Sequence, residues 1–115
     1  AVPALEVNKD TLITENLIIQ QYVVDHYKAT DLCPAVGDIQ RYKVLEWSNY
    51  ISTEVHKSFS GLFNPMISQE LKETVYIPII KIKLAYLNKQ LDNHSYLTGK
   101  HFAMPDAYLF AMLLW

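Results

Sequence analysis

One cysteine, three glycines and no excess of positive charge set the first limits on this 115-residue chain. A lone Cys33 cannot close an internal disulfide or share a metal site with another cysteine, so a reducing compartment fits better than secretion, and no metal is expected. With so little glycine there is no glycine-rich phosphate loop, and HExxH and GxSxG are also missing. A formal charge of −2 and a pI near 6.1, with no basic run, provide no footprint for a polyanion, so nucleic acid is not an expected partner. No apolar run approaches the roughly 18 residues that a membrane span needs. No charged-then-apolar leader is visible. A cytoplasmic chain without membrane association is therefore expected, although Ala1 is not a methionine and need not be the native start. Repeats and low-complexity tracts are absent as well.

What is present is apolar: half of the residues are hydrophobic, enough for one domain with a real core or for pieces of two. The segment Ile39 to Phe63 reads as one helix of about six turns. At about 100° per residue, Val44, Trp47, Ile51, Val55 and Leu62 form an apolar stripe. Lys43, Glu46, Tyr50, Glu54 and Lys57 form a mostly charged sector. Tyr42, Asn49, Thr53 and His56 form a third, of neutral hydrogen-bonding groups. That third sector suits the wall of a cleft, and it equally suits the edge of an ordinary core helix.

Before this helix, Val2 to Val7 and Thr11 to Thr14 read as two strands joined by the polar turn Asn8-Lys9-Asp10. A helix follows from about Glu15 to Lys28, with Thr14 placed to cap it. Leu17, Ile18, Tyr22 and Tyr27, extended by Ile19, Val23 and His26, are expected on its packed side, with Gln20, Gln21 and Asp25 in solvent. Residues 29–36, with Cys33-Pro34, break the periodicity and read as a linker. Asp38 is the expected N-cap of the long helix, which Gly61 and Asn64-Pro65 bring to a close. Ser68 caps a further helix to Leu91, in which Pro78 should cause a kink or a break. Met104 to Trp115 is a last, almost wholly apolar helix of the kind found at the centre of a bundle. The chain stops inside it without a C-cap, so a fragment of a larger fold is expected.

Two local features carry chemistry. At the strand-to-helix junction Thr14-Glu15-Asn16, free helix N–H groups suit a carboxylate and the acidic side chain suits an ammonium, together matching the α-amino-acid end of a small ligand. An ordinary N-terminal turn, with Glu15 complementing the helix dipole, accounts for the same residues. The second feature is Asn49 and His56, seven apart on the long helix. His26, His94 and His101 are scattered.

In order and spacing, VPAL at 2–5, TLITEN and IIQQYVVD within 11–25, RYKVLEWSNYISTEVHKSF at 41–59, YLTGKHF at 96–102 and PDAYLFAMLLW at 105–115 resemble a cytosolic glutathione transferase, most closely the bacterial beta class. The resemblance implies a mostly α chain. Its first part is the C-terminal part of a thioredoxin-like α/β domain, a β-hairpin plus helix over residues 1–28. A linker over 29–36 leads to an all-α helical domain of glutathione-transferase type over 37–115, with both domains incomplete. It also implies a cis peptide at Pro3, with the Val2 backbone pairing with the cysteinyl part of glutathione. Glu15 and Asn16 would hold the γ-glutamyl end, and His56 and Lys57 would lie near the thiol. Asn49 and Glu54 resemble residues that approach the partner's glutathione across a homodimer interface.

The implied reaction joins glutathione, as co-substrate, to a hydrophobic electrophilic small molecule, or exchanges thiol and disulfide. The family's residues before VPAL, with the cysteine typical of the beta-class site, have no counterpart here, and Cys33 does not match it. Asn16 departs from the serine often found at its position, which removes a hydroxyl contact. Ala103 stands where the family places a Ser or Thr paired with the Asp three residues on, here Asp106. A noncatalytic transferase-fold fragment serving dimerisation or protein interaction is the alternative, and a generic helical bundle the third reading.

Overall fold

The chain opens on a hairpin, β1 (Ala4–Asn8) and β2 (Thr11–Thr14), paired antiparallel with Leu5 opposite Ile13. The Asn8 side chain accepts the Asp10 N–H at 3.0 Å and so closes the turn. In the computed structural model, which describes residues 2–115, α1 (Asn16–His26) follows at once. It is shorter than expected, because Lys28 adopts a left-handed backbone with φ 52° and ends it. The capping expectation also changes: Glu15, not Thr14, occupies the N-cap position, and its side chain makes no cap bond.

The expected packed side of α1 is only partly right: Leu17, Ile19 and Tyr22 are half-buried and Asp25 is exposed, but other residues differ. Val24 is its only buried residue, whereas Ile18, Val23 and Tyr27 are exposed and Gln20 and Gln21 are half-buried. Apolar residues occur on more than one side of this helix, so periodicity could not choose the face that packs. The choice is made by a buried cluster of Val24, Cys33, Val44, Ala103 and Met104, flanked by Leu17, Leu32 and Leu45. This cluster joins α1 and residues 29–36 to the helices that follow.

A half-buried ion pair reinforces that junction. The Arg41 guanidinium donates to both Asp25 oxygens at 2.9 and 2.7 Å and to the Pro34 carbonyl at 2.8 Å, a planar fork suited to bidentate contact. The hydrogen bond from Arg41 holds the Asp25 carboxyl below its ordinary value of 3.8, against a smaller opposing effect of burial. A depressed carboxyl stabilises the fold fully above that ordinary value and loses its contribution as pH falls through the lower folded value. Denaturant midpoints should therefore decline below about pH 4 in the native chain, and Asp25→Asn should flatten that decline. Asp25 is 45% exposed, so screening limits the effect to about 1 kcal/mol.

The long helix is continuous from Ile39 to Phe63 but not uniform. It comprises α2 (Ile39–Tyr50), a π-helical segment Ile51–His56, and α3 (Lys57–Phe63). Asp38 caps it through Gln40 N–H at 2.9 Å. Val44, Trp47, Ile51 and Val55 are buried as expected. Wide π turns then shift the phase. Beyond them Phe59 packs on the core, and Gly61 is buried inside α3 rather than terminating it; Leu62 is only half-buried.

Ser68 caps the next rod through Leu71 N–H at 3.2 Å. That rod runs through α4 (Gln69–Leu71), a second π-helical segment Lys72–Tyr76 and α5 (Ile77–Leu91). Pro78 falls in the first turn of α5, directly after the wide turns. They accommodate the missing N–H and the ring without breaking the helix.

α6 (Met104–Leu113) closes the main cluster, in which Tyr108, Leu109 and Met112 meet Trp47, Ile51, Val55, Leu87 and Leu97. Phe110 and Leu113 are exposed on α6, as are Leu114 and Trp115 just beyond it, so α6 is buried on one side and not all round. No helix among the described residues is long and apolar enough to cross a membrane.

Candidate functional site

Beside the hairpin lies a cleft of about 470 Å³, lined in part by Val2, Pro3, Thr14, Glu15, Asn16, His56 and Lys57. Three segments build it. The first brings Val2-Pro3, whose peptide is cis. The second is the β2–α1 junction, where Glu15 has φ 71° and ψ 116°. A non-glycine residue with that φ is strained, at a cost on the order of 1–3 kcal/mol, and such residues cluster where geometry serves a site. After this turn the first N–H bonded within the helix is that of Ile19, to the Glu15 carbonyl at 2.9 Å. The preceding N–H groups and the positive end of the helix dipole are therefore free to meet an anion. Asn16 turns its side-chain oxygen to Gln20 Nε2 at 3.1 Å, which leaves its backbone N–H and its side-chain NH2 as donors for such an anion.

The third segment is the junction of the π-helical turns with α3, which supplies Ser52, Thr53, His56, Lys57 and Ser60. His56 Nδ1 lies 2.7 Å from the Tyr108 hydroxyl. The Trp115 ring packs edge-on against the imidazole at 5.0 Å between centroids. Carboxylate, amine, imidazole and hydroxyl groups thus converge on one opening. That set can bind a zwitterion at one end and stabilise an anion at the other.

Six of the eight residues singled out from the sequence meet here, and two do not. Asn49 is exposed and does not line the cleft. The π-helical turns between it and His56 add residues per turn, which breaks the α-helical phase that placed them on one side. Glu54 is also outside, bound instead to Lys83 of α5. Ser52, Ser60 and Tyr108 were missed. Tyr108 carried a signal, as one of two residues with polar side-chain atoms in an otherwise apolar helix.

The sequence is 44% identical over 114 residues to glutathione S-transferase GstA of Escherichia coli O157:H7, covering 99% of this chain and 56% of that protein. A sphingomonad glutathione S-transferase solved with glutathione superposes with a TM-score of 0.91 at 36% identity, over 100% of this chain and 57% of that one. The beta-class glutathione S-transferase of Sphingomonas chungbukensis gives a TM-score of 0.90 at 34% identity, with the same coverage. In sequence and fold the chain is similar to part of a bacterial beta-class glutathione transferase. It spans little more than half the length of these relatives. No family model matches it.

The small sheet and the helices match a partial thioredoxin-like part and the helical domain of those transferases. One departure noted in the sequence has a structural counterpart. Ala103 has no side-chain acceptor for the helix start, so half of the reciprocal capping pair is missing. The other half stands, with Asp106 Oδ2 accepting Ala103 N–H and Oδ1 accepting Leu97 N–H, both at 2.9 Å.

Proposed function

We propose that the cleft holds glutathione, and that the protein to which these residues belong is a cytoplasmic glutathione transferase. The convergence of Val2-Pro3, Glu15-Asn16 and His56-Lys57 on one opening is the observation that carries this reading. In it, the Val2 backbone pairs with the cysteinyl unit. Glu15 takes the γ-glutamyl ammonium, and the Asn16 N–H at the α1 start takes its carboxylate. His56 and Lys57 lie near the sulfur, where donors and positive charge favour thiolate over thiol. The thiolate then forms a sulfur–carbon bond to a hydrophobic electrophile as the leaving group departs with its electron pair, or exchanges with a disulfide through a mixed disulfide. Residues 1–28 and 37–115 are proposed as parts of two domains, with 29–36 as a packed linker between them. In a homodimer, Asn49 and Glu54 would approach the second subunit's glutathione.

Calorimetric titration with glutathione tests the cleft. Glu15→Gln keeps the shape but removes the charge facing the ammonium, and should weaken binding at least roughly tenfold, as expected for a charge-assisted bond. Unchanged affinity would remove Glu15 from the site.

The exposed Phe110, Leu113, Leu114 and Trp115 favour a second reading, a noncatalytic unit that associates through an apolar face. Stable association by size exclusion, without glutathione binding, would support that reading instead.

A further inference from the structure

We propose that Tyr108 is a positioning residue that holds His56 in the tautomer with its proton on Nε2, so that the imidazole acts in the cleft as a hydrogen-bond donor. Tyr108 is 3% exposed, and a buried phenol must place its hydrogen on an acceptor. Among the described residues the only partner of its hydroxyl is His56 Nδ1, at 2.7 Å. If Nδ1 carried the proton and donated it, the phenolic hydrogen would have no acceptor among the described residues and would have to turn to the cleft. The economical assignment is that Tyr108 Oη–H donates to a bare Nδ1. A neutral imidazole then carries its proton on Nε2.

Two aromatic rings pack edge-on against the imidazole. The Tyr108 ring stands nearly perpendicular to the imidazole, with centroids 5.8 Å apart, and Trp115 closes in edge-on from another direction at 5.0 Å. Both His56 and Tyr108 line the cleft. The consequence is directional: the ring donates to a negatively charged group and does not act as the first acceptor of its proton. Identifying that group as the glutathione sulfur rests on the function proposed above, whereas the tautomer does not.

The two are separable by nitrogen-15 NMR of histidine-labelled chain, recorded at a pH where the ring is neutral. The wild type should show a pyridine-like Nδ1 and a protonated Nε2 at His56, and Tyr108→Phe should convert this to a mixture of tautomers. Glutathione affinity should fall roughly three- to tenfold in Tyr108→Phe, the loss expected for one neutral hydrogen bond. A protonated Nδ1 in the wild type overturns the proposal, and so does an unchanged tautomer in Tyr108→Phe. If the variant does not fold, the wild-type spectrum alone decides. If the wild type has the assigned tautomer but glutathione leaves the His56 resonances unmoved, the positioning role stands and the reading of the cleft falls.

Discussion

Asp106→Ala should destabilise the chain by about 3–6 kcal/mol, the loss of two hydrogen bonds to a charged acceptor at about 1.5–3 kcal/mol each. The carboxylate bridges Leu97 N–H and Ala103 N–H, and thereby fixes the loop before α6 to the first turn of that helix. Leu97 is 0% exposed and belongs to the main core cluster. Truncation would leave its N–H buried without a partner and loosen the residue that plugs the core. The loss is comparable to the whole stability of a small domain. Asp106→Asn, which keeps one acceptor, should cost about half as much. Ala103→Ser supplies the missing half of the capping pair and should restore about 1 kcal/mol. Urea denaturation of the three variants measures all of this, and a cost below about 1 kcal/mol for Asp106→Ala would contradict the bridging role.

Gly61→Ala should be the second severe substitution, even though alanine is the better helix former by about 1 kcal/mol. A Cβ built at Gly61 would fall 2.1 and 2.2 Å from Cε1 and Cδ1 of Tyr76, far inside the 3.5–4.0 Å of a normal carbon contact. The glycine is what lets α3 and the Lys72–Tyr76 segment approach so closely. Forcing the ring aside should cost about 2 kcal/mol net. The cause is checked in a Tyr76→Ala background, where Gly61→Ala should become neutral or mildly stabilising. An equal penalty in both backgrounds would show that the Tyr76 ring is not what the new methyl meets.

These two residues also mark how far the sequence could be read. Asp106 was recognisable because its partner position, Ala103, is empty of the expected hydroxyl, and the caps at Asp38 and Ser68 follow from local chemistry within four residues. Gly61 was read as a helix end, because its value lies in a neighbour fifteen residues away that no local pattern reveals. The buried Arg41 was missed for a similar reason: its partners, Asp25 and Pro34, come from a different helix and the linker. The π-helical turns are invisible to a fixed angle per residue. They separated Asn49 from His56, although Ile51 and Val55 inside the same segment remain on the buried side.

At the cleft, the residues legible from the sequence were those with strong local chemistry or a family resemblance, namely Val2, Pro3, Glu15, Asn16, His56 and Lys57. Their convergence required the fold. Ser52 and Ser60 carried no distinguishing signal, being ordinary small polar residues on a long helix.

Whether the three segments together form the glutathione site is tested by a map of backbone amide shifts during titration of the chain with millimolar glutathione. Shifts should concentrate at Val2, Glu15, Asn16, His56 and Lys57, and diminish together in Glu15→Gln. Shifts confined to the separate groove lined by Thr30, Asp38, Lys100 and His101, or no shifts at all, would contradict this assignment.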